Sequence, residues 1–296
     1  MCKDTQKNPI LLLSLQNMDN KILYISDLDG TLLNSDSLVS GKSALLLTAF
    51  SEGGGLFTVA TARTPATVVP LLSEVRSTVP FIVMTGAAMW DRKSESYINT
   101  RFLEERSARD VISEFSKAGI RPFVYCLPED SNILQVYHSS TLSPRERDFY
   151  LERNHLKLKK FNLGTPVPEK LHSRTLLLFG IAGTEQVDRL ASILKENDSI
   201  SVSAYPDIFI PDCSLIEVFA AGVSKASAIK NLKERVSASG TVVFGDNLND
   251  LSMFAVADRA VAVGNALDKV KEAADVVIGR NYEDAVAEFI ISDSGK

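Results

Sequence analysis

Six short apolar runs punctuate the two ends of the chain: KILYIS (21–26), LFTVA (56–60), FIVMT (81–85), TVVFG (241–245), AVAV (260–263) and DVVI (275–278). Near-continuous runs without polar alternation are how strands covered on both faces of a parallel sheet read. Segments with helical spacing lie between them, at 42–51, 66–77, 225–237, 249–257 and 282–291. Strand–helix alternation of this kind predicts an α/β fold with a doubly wound parallel sheet.

The middle of the chain has a different rhythm. Residues 102–118 read as a helix ending at Gly119, and two strands follow, RPFVYC and NILQVYH, joined through the turn signal PEDS. A charged helix is expected over 143–160. After it come the strand TLLLFG, a helix near 184–196 and paired strands near 200–205 and 215–219. Helices interleaved with hairpins predict a smaller α+β unit at 88–219, inserted into a core made of 18–87 and 220–296. Met18 is a natural start for the first strand, so residues 1–17 read as an N-terminal extension.

In doubly wound sheets, ligands bind beyond the carboxyl ends of the strands. The first run there delivers Asp27 and Asp29, two carboxylates flanking Leu28 and followed by Gly30. Like charges about 4 Å apart repel by roughly 4 kcal/mol at an effective dielectric near 20, so a cation is the first candidate to hold them. The second run delivers Thr61 and Arg63, the third Thr85 and Gly86, and GDNLND delivers Asp246, Asn249 and Asp250. Lys225 opens the helix after AAGVS.

Taken singly, each has a plainer use. D-x-D-G makes a polar turn, Thr61 caps a helix, Lys225 is solvated, and the acids of GDNLND favour a helix N-terminus. A calcium loop is excluded because the twelfth position from Asp27 is Leu38. SGKSA at 40–44 carries the GKS of a phosphate loop but has Asp36 where the earlier glycine belongs. Acids, hydroxyl and cation together, in this order and at strand ends, are not explained by packing.

These motifs resemble those of the haloacid dehalogenase superfamily of phosphohydrolases, over essentially the whole chain after Met18. DLDGTLL is similar to its first motif, Thr61 to its second, Lys225 to its third and GDNLND to its fourth. The helix-and-hairpin insert resembles the type 2B cap of the Cof-like branch, which mostly dephosphorylates small metabolites, sugar phosphates prominently. Ala62 and Ala226 stand where the family usually has glycine, and Thr85 where asparagine is common, which bears on the fine shape of the phosphate pocket.

The resemblance implies an aspartyl-phosphate mechanism. Asp27 would be the nucleophile and Asp29 the general acid and base. Mg²⁺ would be held by Asp27, the Asp29 carbonyl and Asp246, with Asp250 holding Lys225 or completing the metal's surroundings. Thr61 and Lys225 would take the phosphoryl group, and Gly30, Arg63, Thr85, Gly86 and Asn249 would line the substrate. Two rivals stand beside the phosphatase: a phosphosugar mutase on the same plan, and an inactive phosphometabolite-binding protein.

Composition is that of an ordinary soluble globular chain. The chain has 296 residues, 45% hydrophobic and 23% charged, with a formal net charge of −5. That charge gives no basic footprint for nucleic acid and no attraction to anionic membranes. Cys2, Cys126 and Cys213 are too few and scattered for a disulfide framework or a zinc site. No apolar run approaches the 18 or so residues that cross a bilayer. The expectation is a cytoplasmic monomer or weak homodimer whose partner is a small phosphorylated metabolite. Arg101, Tyr125, His138, Tyr205 and Asp212 are insert residues able to point inward, each more simply read as structural or solvated.

Overall fold

The structure is a computed structural model that describes residues 21–207 and 210–295. The expected extension at 1–17 therefore lies outside the described residues. The chain divides into two compact units, one of residues 1–60, 72–80 and 229–296, the other of 61–71 and 81–228.

The first unit holds a five-stranded parallel sheet in the order β14-β13-β12-β1-β2. Its strands are β1 (Ile22–Ser26), β2 (Leu56–Val59), β12 (Gly240–Gly245), β13 (Arg259–Ala262) and β14 (Val276–Val277). All six residues of β12 are buried, as are Leu23 to Ser26 of β1, so the unbroken apolar runs mark strands covered on both faces. Helix α1 (Gly41–Glu52) begins at Ser40, whose hydroxyl accepts the Ser43 N–H at 2.9 Å and satisfies one of the helix's free donors. The last helix, α8 (Ala285–Ser294), buries Val286 and Ile290.

The second unit contains helix α2 (Pro65–Leu71) and two sheets. A small antiparallel sheet joins β3 (Phe81–Val83), β4 (Ala88–Asp91) and β5 (Ser96–Ile98). A six-stranded sheet has the order β10-β11-β9-β6-β7-β8, with β6 (Phe123–Cys126), β7 (Leu134–His138), β8 (Lys159–Leu163), β9 (Thr175–Gly183), β10 (Ile200–Pro206) and β11 (Cys213–Ala220). Helices α3 (Glu105–Lys117), α4 (Pro144–Leu151) and α5 (Thr184–Leu194) accompany it. The boundary between units falls within α6 (Lys225–Arg235). The fold is thus α/β, with a parallel-sheet core and an additional, mainly antiparallel sheet.

Four local expectations are corrected. The run at 81–85 does not join the parallel sheet; only Phe81–Val83 is strand, paired antiparallel with β4, and the chain then turns through positive φ at Met84, Thr85 and Gly86. The helix expected at 143–160 ends at Leu151, and β8 follows it parallel to β7. Phe161 and Leu163 recur with the period of a strand, which the surrounding charges hide. The helix expected at 66–77 is only Pro65–Leu71, with Pro70, which has no N–H to donate, in its last turn. Short turns and a four-residue helix, α7 (Leu251–Phe254), fill much of 249–257.

Among the described residues no helix is long and apolar enough to cross a membrane. Cys126 and Cys213 are free thiols.

Candidate active site

In the first unit, the register of β1 and β12 decides where the acids emerge. Ser26 stands opposite Phe244, and the Asp27 N–H donates to the Phe244 carbonyl at 3.0 Å. Both strands therefore end side by side, one delivering Asp27 and the other Asp246. Carboxylate oxygens of Asp27, Asp246 and Asp250 lie within 4.8 Å of one another. Asp27 is 7% exposed and Asp250 fully buried. At that separation each pair of ionised carboxylates repels by roughly 3 kcal/mol at an effective dielectric near 20.

The backbone is shaped around this cluster. Asp250 Oδ2 accepts the N–H groups of Asp246 at 3.0 Å and Asn247 at 3.2 Å, which closes the loop and fixes the carboxylate. Thr31 Oγ1 donates to Asp246 Oδ1 at 2.9 Å. Gly30, at φ +79°, passes so near Asp246 that a Cβ there would lie 2.4 Å from Oδ2. Asn265 Nδ2 donates to the Gly30 carbonyl at 2.8 Å, while its Oδ1 accepts from the Asn281 N–H. Thr31 and Asn265 were missed in the sequence. Thr31 comes just after the D-x-D-G turn; Asn265 belongs to a short GNA stretch whose role depends on a contact more than two hundred residues away.

Asp29 and Asn249 behave differently from the three-acid group. Both are exposed, and the Asp29 carboxylate is not one of the clustered three.

The remaining expected residues gather in the second unit. Thr61 is buried; its hydroxyl accepts the Arg63 N–H at 3.1 Å, and its carbonyl accepts the Thr85 N–H at 3.0 Å. The Met84 N–H donates to the Arg63 carbonyl. Met84 and Thr85 hold φ of 51° and 57°, an uncommon conformation for side-chain-bearing residues that is concentrated at functional sites. Thr85 Oγ1 is buried with no hydrogen-bond partner among the described residues, which is uncommon for a buried hydroxyl. A Cβ at Gly86 would meet the Ser224 carbonyl at 2.3 Å, so this turn packs against the chain just before Lys225. The Lys225 side chain is 2% exposed.

Of the insert residues, His138 is buried, its ring nitrogens 3.1 Å from the carbonyls of Ser139 and Arg121 and Nε2 3.4 Å from Glu146. That is a structural use. Arg101 reaches the Ala221 carbonyl from an exposed position, and Asp212 sits at φ 59° in the turn before β11.

In the first unit, three carboxylates thus converge beyond the ends of the adjacent parallel strands β1 and β12. Residues 24–290 match the haloacid dehalogenase-like hydrolases, and the chain belongs to that family. It is 25% identical over 279 residues to a 5-amino-6-(5-phospho-D-ribitylamino)uracil phosphatase of Bacillus subtilis, covering 93% of this chain and 96% of the relative. It is also 25% identical over 282 residues to a pyridoxal phosphate phosphatase of Escherichia coli, covering 90% and 96%. A haloacid dehalogenase-like hydrolase from Bacteroides thetaiotaomicron has the same fold, with a TM-score of 0.75 and 22% identity over 93% of this chain and all of the other.

Proposed function

We propose that the protein is a Mg²⁺-dependent phosphatase that hydrolyses small phosphorylated metabolites, sugar phosphates among them, through an aspartyl-phosphate on Asp27. The observation that carries this reading is the convergence of Asp27, Asp246 and Asp250. The phosphatase activities named for the relatives from Bacillus subtilis and Escherichia coli support it.

The donor set fits Mg²⁺: oxygen ligands only, mutually repelling without a cation, and oriented by Thr31 and by backbone N–H groups. Asp27 and Asp246 would hold the metal with the Asp29 carbonyl. When bound, the metal offsets negative charge on the acids and on the phosphoryl oxygens.

The chain's own groups then divide the work. Asp27 attacks phosphorus while the P–O bond to the leaving alkoxide breaks, and the Asp29 carboxylic acid donates its proton to that oxygen. Asp29, now ionised, takes a proton from the water that cleaves the aspartyl-phosphate and releases inorganic phosphate. Thr61, Thr85 and Lys225 donate to phosphoryl oxygens. Charge stabilisation and positioning supply most of the catalysis of such a step, so few residues suffice. The same reading gives residues 88–219 the task of selecting among esters, because the groups above meet only the phosphoryl group and the scissile oxygen.

A panel of phosphorylated metabolites incubated with Mg²⁺, with and without EDTA, tests the proposal through release of inorganic phosphate. Metal-dependent release is expected. Isomerised substrate without free phosphate would turn the reading to a mutase, and full activity in EDTA would remove the metal.

A further inference from the structure

Lys159 is a lysine where packing alone would put a leucine. It belongs to β8, the edge strand of the six-stranded sheet, yet it is only 5% exposed. Its Nζ lies 5.3 Å from the centre of the Tyr125 ring and 5.9 Å from that of Phe161. No carboxylate pairs with it among the described residues. The charged group that acts on it is another cation, Arg153, whose guanidinium stacks 4.3 Å over Phe149 and whose acidic partner is the exposed Glu152. Burial, with Arg153 beside it, pulls the Lys159 amine down to about 7. Long cationic side chains at a sheet edge ordinarily extend their head group to water. This one folds inward over aromatic rings, where a charged amine is unfavourable unless something neutralises it.

The face that carries it is continuous. Tyr125 pairs with Val136 across β6 and β7, and Val136 with Phe161 across β7 and β8, so Tyr125, Phe161 and Lys159 share one side. Phe123, two residues before Tyr125, pairs with Phe179, and Phe179 with Glu217, which brings Glu217 to that side as well. Glu217 bonds the Tyr205 hydroxyl and acts electrostatically on Tyr125, and Lys225 in turn acts on Glu217. A row of polar groups therefore runs from Lys225 through Glu217 and Tyr125 to Lys159. Because Lys159 reaches back over Tyr125 of β6, its amine stands about two strand spacings, roughly 10 Å, from β11.

We propose that Lys159, with Arg153 beside it, receives an anionic group, a carboxylate or a second phosphate, at the end of the substrate remote from the hydrolysed phosphate. This rests on the reading of Lys225 as a ligand of the reacting phosphoryl group. Glu217 and Tyr205 would meet the hydroxyl-bearing chain between the two ends. The preferred substrate is then a phosphorylated polyol with a second acidic group, and the bound anion supplies the charge that the buried amine lacks.

Two ester pairs test this with the full chain and Mg²⁺. The first is 6-phosphogluconate against sorbitol 6-phosphate, which differ by a terminal carboxylate; the second is fructose 1,6-bisphosphate against fructose 6-phosphate. The wild type should favour the doubly acidic ester of at least one pair by tenfold or more in kcat/KM, mainly through KM. The pair that responds tells carboxylate from phosphate. Lys159→Met should abolish that preference, leave p-nitrophenyl phosphate hydrolysis within twofold, and keep the circular dichroism of the wild type with a Tm at least as high; Lys159→Arg should retain the preference. Equal use of both members of both pairs by the wild type, or an undiminished preference in folded Lys159→Met, overturns the inference. If no ester is hydrolysed, p-nitrophenyl phosphate included, the phosphatase reading fails. The Lys159 site is then decided by calorimetric binding of 6-phosphogluconate and fructose 1,6-bisphosphate. A tenfold loss in Lys159→Met supports it, and unchanged or absent wild-type binding overturns it.

Discussion

Gly30 and Asp246 approach so closely that a methyl group on the Gly30 α-carbon would lie 2.4 Å from the Asp246 Oδ2 atom. The close approach joins the loop after β1 to the loop after β12, and it occurs at a φ of +79° that costs other residues roughly 1–2 kcal/mol. Gly30→Ala must therefore push Asp246 aside as well as strain its own backbone. We expect kcat/KM to fall at least tenfold and Tm to drop, measured by phosphate release and by thermal unfolding without metal.

Thr31→Val removes the hydroxyl that orients Asp246 while keeping the shape of the side chain. Loss of a group that positions a metal ligand typically weakens metal binding by about 10–100-fold. The Mg²⁺ concentration for half-maximal activity should rise by that factor, with maximal activity at saturating Mg²⁺ largely restored. An unchanged Mg²⁺ dependence would separate Thr31 from the metal site.

Asp27→Asn exchanges the carboxylate proposed as the nucleophile for an amide of the same size. Turnover should vanish. The metal-free protein should unfold at the same or a higher urea concentration, since one of three mutually repelling charges is gone. Substantial phosphate release by the folded variant would assign the nucleophile elsewhere.

Two buried groups give stability a predictable pH dependence. Burial pushes the Glu217 carboxyl up to about 7, partly offset by the Tyr205 hydroxyl and Lys225. The folded chain then holds this proton more tightly than the unfolded one, so its contribution falls as pH rises from about 4.5 to 7. The Lys159 amine is pulled down to about 7, so between 7 and about 10.5 the unfolded chain binds more protons and stability rises with pH. Urea unfolding at pH 5, 7 and 9 should show Glu217→Gln flattening the acidic limb and Lys159→Met the alkaline limb, each by an amount on the order of a few kcal/mol. Parallel curves for wild type and variants would mean that neither group is perturbed.

How far the sequence discloses the molecule depends on the length scale of the forces involved. Buried parallel strands such as Leu23–Ser26 and Thr241–Gly245 are legible because covering both faces demands continuous apolar side chains. Asp27 and Asp246 are legible for the same reason, since strand ends locate them. The strand Lys159–Leu163 is not, because an edge position and a buried lysine erase its alternation. Thr31, Asn265 and the positive φ of Met84 and Thr85 are fixed by tertiary contacts that local residue preferences do not encode.

The hydrogen bond from Thr31 to Asp246 joins residues 215 positions apart. During synthesis, β1 emerges early, but its partner β12 is added only after every strand of the six-stranded sheet. That sheet can close while the ribosome is still working, whereas β1 must wait with one edge unpaired. Such distant pairing is slow and leaves the strand open to wrong partners in the interval. The acidic cluster can thus form only after all of the six-stranded sheet has been made, and a chain truncated before Gly240 would carry the whole second unit and lack Asp246 and Asp250.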